Sequence, residues 1–97
     1  MAGISTSLLV NKMKRLIRNE NFEIAVTAMS ERAFQGYTGQ TDVLLLGPQL
    51  GHRFESLKEQ YESKGIRIDR IDPEHFGAMD AKAVLEQAFP RPVWTNR

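Results

Sequence analysis

The chain has 97 residues, no cysteine, and 13 Lys and Arg against 12 Asp and Glu, which leaves a formal net charge of +1. This length predicts a single domain over residues 1–97, and the near-neutral charge argues against a dedicated nucleic-acid binder. The lack of cysteine excludes, for these residues, a disulfide framework, a thiolate zinc site and a cysteine nucleophile.

The first half of the chain predicts a helix, a strand, a short helix and a loop, in that order. The helix covers residues 5–18, because its apolar residues recur at three- and four-residue spacing: Leu9, Met13, Leu16 and Ile17. Apolar and polar residues alternate over 22–27, which predicts a strand with one face more buried than the other. A short helix over 30–33 would be capped by its serine, and 35–41 has the composition of a loop.

The second half predicts two more strands and two more helices. Residues 43–46 are a continuous apolar run, which is typical of a strand buried on both faces of a parallel sheet. A helix follows over about 50–63, and a strand near a sheet edge over 66–71. Asp80 caps a last helix that ends before Pro90.

This alternation of helices and strands indicates the fold class. We expect an α/β domain with a small parallel sheet, helices on both faces and right-handed crossovers. The order has one anomaly, since such folds normally open with a strand and this chain opens with a loop and a helix. The tail, residues 91–97, is expected to be irregular.

The opening loop has the chemistry of a phosphate-binding site. Gly3 permits a tight turn, and successive backbone N–H groups converge at the positive end of a helix, next to three hydroxyls. The predicted phosphate-binding loop consists of Ala2, Gly3, Ile4, Ser5, Thr6 and Ser7. The alternative is an ordinary helix start with a Ser/Thr cap.

Three motifs, in order along the chain, carry a family resemblance. They are Ala-Gly-Ile-Ser-Thr-Ser-Leu-Leu-Val from Ala2, Asp-Val-Leu-Leu-Leu-Gly-Pro-Gln ending at Gln49, and Ile71-Asp72 followed by Phe76-Gly77. The chain resembles the enzyme IIB component of the lactose/cellobiose/chitobiose branch of the bacterial phosphotransferase system. The motifs span nearly the whole sequence.

The resemblance implies a fold and a function. The fold is a four-stranded parallel sheet flanked by helices. The function is to accept a phosphoryl group from a histidine of the IIA component on a cysteine thiolate, and to pass it to a sugar bound by the membrane-spanning IIC component. It implies a cytoplasmic protein, peripheral to the membrane through IIC, without cofactor, metal, nucleic acid or inserted segment, and monomeric at full length. The residues expected to flank the active edge are Gly47, Pro48, Gln49, Phe76 and Gly77.

The chain departs from the family at its start. In the family's register the cysteine would stand immediately before Met1, and the first strand, which lies inside the family's sheet, would precede it. Met1 is then either an internal methionine taken as the start, which we favour, or the start of a shortened paralogue. The alternative functions are a non-catalytic IIB-like regulatory or interaction module, and a generic anion-binding domain. We expect the 97-residue form to be poorly stable, or to fill the gap with another segment or chain.

Each of the other polar residues singled out in the sequence has two interpretations. Gln49 either contacts the phosphate or the donor protein, or belongs to a rigid turn. His52 and His75 are either solvent-facing or relay a phosphoryl group. The cations of the first helix form a solvated face or meet an acidic partner surface: Lys12, Lys14, Arg15 and Arg18.

Overall fold

The computed structural model describes residues 4–90, with Ile4 by its backbone alone. The elements follow in this order: α1 (Ile4–Glu20), α2 (Glu31–Gln35), β1 (Val43–Leu46), a 3-10 helix (Pro48–Arg53), α3 (Phe54–Glu62), β2 (Arg67–Arg70), α4 (Pro73–Gly77) and α5 (Ala81–Ala88). The tail predicted to be irregular, and Ala2 and Gly3 of the predicted loop, lie outside the described residues.

Strands β1 and β2 form a parallel pair, which confirms the predicted α/β class. Val43 is opposite Arg67, and Leu46 is opposite Arg70. Successive side chains of β1 point to opposite faces, because the side-chain period of a strand is two. Leu45 packs on a core built by α1 and α5, whereas Leu46 belongs to a core with α3. Helices therefore cover both faces, as predicted.

The larger core joins α1 to α5. The predicted inner faces of both helices are confirmed, since the buried side chains recur at helical spacing on each: Leu9, Met13, Ile17, Ala81, Val84 and Leu85. Leu9 and Leu85 are each 1% exposed and Val84 is fully enclosed. Burial of these side chains is the main force that holds α1 on α5, at about 1.5–3 kcal/mol for each large one.

The second core lies on the other face, under α3. Leu46, Leu57, Tyr61 and Ile68 are buried there. The ring of Phe34, from α2, meets the Tyr61 ring edge to face, with the ring centroids 5.2 Å apart. This contact attaches the short helix α2 to the body of the domain.

The prediction of a strand over residues 22–27 is wrong, because the structure contains no strand there. The segment keeps the expected alternation: Phe22, Ile24 and Val26 are half-buried and pack on the core of α1 and α5, whereas the residues between them are exposed. No backbone hydrogen bond joins residues 23–27 to any other part of residues 4–90. The alternating pattern therefore correctly predicts which residues face the core. A strand also needs a neighbouring strand with which to exchange hydrogen bonds.

The two edges of the sheet differ. The outer edge of β2 is covered by Gln87, whose Nε2 donates to Asp69 Oδ2 at 3.0 Å and whose Oε1 accepts from Asp72 N at 3.3 Å. The outer edge of β1 has no such cover. Asp42 O and Leu46 O accept bonds from the β2 side, so Val43 and Leu45 direct their N–H and C=O groups away from β2, where the described residues supply no strand.

Several boundaries differ from the predicted ones. The helix predicted from residue 50 begins as the 3-10 helix at Pro48, because proline suits the first helical position. The strand predicted over 66–71 is two residues shorter. Helix α4 was not predicted, although Asp72 caps it by accepting from Glu74 N at 2.8 Å. The capped short helix after Ser30 is confirmed, with Ser30 Oγ accepting from Ala33 N at 3.1 Å.

A two-pronged ion pair ties α2 to the end of the 3-10 helix. Arg53 Nη2 lies 2.6 Å from Glu31 Oε2, and Arg53 Nε lies 3.1 Å from Oε1. The hydrogen bonds from Arg53 lower the pKa of Glu31 below its ordinary 4.5. Both side chains remain in contact with solvent, so the contribution to stability is small.

We expect Glu31→Gln to lower the melting temperature slightly at pH 7 and to have no effect in strong acid. The folded pKa of Glu31 lies below its unfolded value, so the stabilisation is complete above about pH 4.5 and is lost as the pH falls through the folded pKa. Melting curves of both proteins from pH 7 to pH 3 measure this. A difference that persists unchanged at pH 3 would contradict the assignment.

Candidate functional site

The loops after β1 and β2 leave the sheet at the same edge, because the two strands are parallel. Gly47 caps the 3-10 helix and Pro48 is its first residue. The side chain of Gln49 folds back over this turn, and a Cβ on Gly47 would lie 2.8 Å from Gln49 Oε1. Gln49 is exposed, so its flexible end could move aside for a Cβ, and Gly47, Pro48 and Gln49 form the turn that begins the 3-10 helix.

Phe76 and Gly77 lie in α4, which follows β2 at this edge. Phe76 is half-buried and packs against the core of α1 and α5, so its ring serves packing. Gly77 is exposed and ends the helix. His75 is half-buried rather than solvent-facing, and its Nδ1 is buried without a hydrogen-bond partner in residues 4–90. His52 is exposed, in the 3-10 helix.

The described part of the predicted phosphate-binding loop is the first turn of α1. Because α1 begins at Ile4, Ser5, Thr6 and Ser7 lie inside the helix rather than at a cap, which corrects the predicted boundary. Ser5 and Ser7 are exposed and Thr6 is half-buried. Backbone N–H groups of a first helical turn have no acceptor within the helix. The turn contains no acidic residue, so its partial positive charge is available to an anion.

Helix α1 ends in a tight turn of the chain. Asn21 adopts a left-handed conformation with φ 58°, and Phe22 N donates to Ile17 O at 3.0 Å. The chain then runs to α2, which Glu31 attaches to Arg53, beyond the carboxyl end of β1. The segment after α1 therefore leads to an element that is held beside the 3-10 helix following β1.

One cation of this edge was not predicted as part of a site. Arg70 ends β2, and its guanidinium carbon lies 4.5 Å from the centre of the Phe54 ring. A guanidinium over an aromatic face is attracted by the ring's quadrupole. The charge is thereby held beside the loops that leave the sheet. The sequence placed Arg70 on an exposed strand position, and only the packing of α3 brings the ring beneath it.

Within residues 4–90, no three His, Asp or Glu side chains come together in a way that would hold a metal ion. None of the helices in that part of the chain is both long and apolar enough to cross a membrane.

Comparison with known proteins identifies the family of the chain. Residues 1–87 match the family described as "PTS system, Lactose/Cellobiose specific IIB subunit". The chain is similar to the oligo-beta-mannoside-specific EIIB component of Bacillus subtilis, with 31% identity over 91% of this chain and 85% of that protein. It is also similar to the cellobiose-specific EIIB component of Lactococcus lactis subsp. lactis and the galactose-specific EIIB component of L. lactis subsp. cremoris. Each is 33% identical over 90% of this chain and 85% of the relative.

Proposed function

The chain belongs to the lactose/cellobiose-specific IIB subunit family of the phosphotransferase system, and we propose that it is a phosphocarrier in sugar uptake. It would accept a phosphoryl group from a IIA histidine and deliver it to a sugar held by the IIC component. The observation that supports this most directly is the first turn of α1. It combines amides that have no acceptor within the helix, three hydroxyl side chains and no acidic residue.

The chemistry requires a thiolate next to that turn, and we propose a cysteine immediately before Met1 in the functional form. The thiolate sulfur attacks the phosphorus, the S–P bond forms, and the N–P bond of the phosphohistidine breaks. In the second step a sugar hydroxyl attacks the phosphorus and the thiolate leaves. A helix N-terminus lowers a thiol pKa and favours this thiolate. The protein otherwise supplies position and charge stabilisation.

The residues around the phosphate suit a carrier better than a phosphatase. Residues 1–7 contain no Arg or Lys. A cation at that point would stabilise the charge that develops during attack by water. Backbone amides hold the phosphoryl oxygens without adding a full positive charge, so the phosphoryl group is retained until the sugar arrives.

Two parts of the fold without a strand partner, the segment after α1 and the outer edge of β1, support a strand ahead of α1. Residues 23–27 make no backbone hydrogen bond within residues 4–90, Ile24 and Val26 among them are half-buried, and the described residues supply no strand at the outer edge of β1. A parallel strand between them would pair with both. Its carboxyl end would then meet the first turn of α1, where the proposed cysteine belongs.

The sugar is proposed only as a class. The three relatives named above are specific for three different sugars, so similarity to them does not select one. We infer a glycoside of the lactose, cellobiose or chitobiose type, chosen by the membrane component. The protein would work as a cytoplasmic monomer that meets the membrane through IIC.

The lack of cysteine in the 97 residues supports a second candidate function. A IIB-like module without a phosphoryl acceptor would still present the same surfaces. It would bind IIA or IIC and regulate them without catalysing transfer.

Phosphoryl transfer from labelled phospho-IIA tests the first proposal. The acceptor is the chain extended by a strand of about six apolar residues and a cysteine directly before Met1. The matched control carries serine in place of that cysteine. We expect label on the cysteine form alone. Label on the serine form would indicate His52 or His75 instead. No label on either form, with IIA binding retained, would favour the regulatory module.

A further inference from the structure

An exposed stripe runs along α1 beside its buried face. It consists of Leu8, Lys12, Arg15 and Asn19, which recur at spacings of four, three and four and so share one side of the helix. Leu8 is 52% exposed, whereas the neighbouring Leu9, which faces the core, is 1% exposed. The stripe starts at Leu8, directly after the first turn of α1. It is therefore continuous with the proposed phosphate site.

The part of this stripe from Lys12 to Asn19 forms one wall of a shallow groove. Lys12, Arg15, Leu16 and Asn19 line it from α1, and residues 78–82, the turn between α4 and α5, line it from the opposite side. Met79 holds this turn in a left-handed conformation with φ 55° and packs on the core. The groove thus has an apolar floor and a cationic rim.

The cations on this rim have no counter-ion within the described chain. Neither Lys12 nor Arg15 forms an ion pair with any of residues 4–90. Asp80 faces the groove, but its Oδ1 accepts from Ala83 N at 3.1 Å and serves as a helix cap. The other two cations of α1, Lys14 and Arg18, do not line the groove. The structure therefore divides the four cations of the predicted basic cluster into two pairs.

We propose that this groove docks an acidic amphipathic helix of the phosphoryl donor. Apolar side chains of that helix would contact Leu8, Leu16 and Met79, while its carboxylates would meet Lys12 and Arg15. An amphipathic helix in an apolar groove is a recurrent mode of recognition, and complementary charge sets its register and speeds association. The identity of the partner rests on the proposed function. The separation of Lys12 and Arg15 from Lys14 and Arg18 does not depend on the proposed function, because it follows from which of them line the groove.

Binding of the cognate IIA protein to the 97-residue chain, measured by calorimetry, tests the proposal. Lys12→Glu with Arg15→Glu is compared with Lys14→Glu and Arg18→Glu, a pair that changes the net charge of the same helix equally. We expect the groove pair to raise Kd by roughly tenfold or more at low salt and the control pair by at most about threefold. Raising the salt to about 0.5 M should reduce the difference.

Equal weakening by the two pairs, no weakening by either, or no binding of IIA by the wild-type chain would overturn the proposal. Circular dichroism melts show whether each variant is folded, and Lys12→Gln with Arg15→Gln provides a milder version that should raise Kd about threefold. Binding and phosphoryl transfer are separate readouts. A preserved difference in Kd with no label on the cysteine form would remove the phosphocarrier function and leave the docking surface.

Discussion

Replacing Leu9 by alanine is expected to remove a large part of the unfolding free energy of the 97-residue chain. Leu9 is 1% exposed at the centre of the contact between α1 and α5. Removing a fully buried leucine side chain costs about 3–5 kcal/mol, because the lost burial is compounded by the cavity that remains. Small domains have stabilities of the same order. Urea unfolding followed by circular dichroism measures the effect.

Leu8→Ala is the matched control, since it makes the same chemical change one residue earlier. Leu8 is 52% exposed, so we expect its unfolding free energy to change by less than about 0.5 kcal/mol. If the two variants were destabilised equally, α1 would not be packed on its Leu9 face. The assignment of Leu8 to a docking surface would then fail as well.

Adding a strand ahead of Met1 is expected to stabilise the protein strongly. The added strand would pair with residues 22–27 on one side and with Val43 and Leu45 on the other, and it would cover apolar side chains on both faces of the sheet. A net gain of about 2–3 kcal/mol corresponds to a rise in Tm of about 10–20 °C for a domain of this size. Thermal melts of the 97-residue chain and the form extended by about seven residues compare the two.

Hydrogen exchange locates this effect. In the extended form the amides of Val43, Leu45 and alternate residues of 22–27 should gain protection, while those facing β2 should change little. A glycine- and serine-rich extension of equal length is the control, because it cannot bury apolar surface. Equal stabilisation by both extensions, or no change in protection, would contradict a vacant strand position.

The helices were the best predicted part of the fold, because their signals are local. The apolar stripe of α1 and the capping residues Ser30 and Asp80 depend on residues within a few positions, and all lie where the sequence placed them. Helix α4 was missed because it spans only five residues and shows no periodicity. Its available signals were the capping residue Asp72 and Pro73 at the first helical position.

The candidate site was predicted by family resemblance rather than by local chemistry. Gly47, Pro48 and Gln49 lie at the carboxyl edge, as the strand order required, but the folding of Gln49 over Gly47 has no signal in the sequence. Phe76 belongs to the core, which its sequence neighbours did not indicate. Arg70 gained its place over Phe54 through packing between two elements.

The sequence by itself determined the class of fold, the inner faces of the helices and the family. These depend on hydrophobic period, on capping residues and on motifs in a fixed order, all of which are properties of short stretches. Only the tertiary structure decided whether residues 22–27 form a strand, and which cations of α1 border a groove. Both depend on a neighbour distant in the chain. A strand exists through hydrogen bonds to another strand, and a groove exists between two elements, so neither can be read from one segment alone.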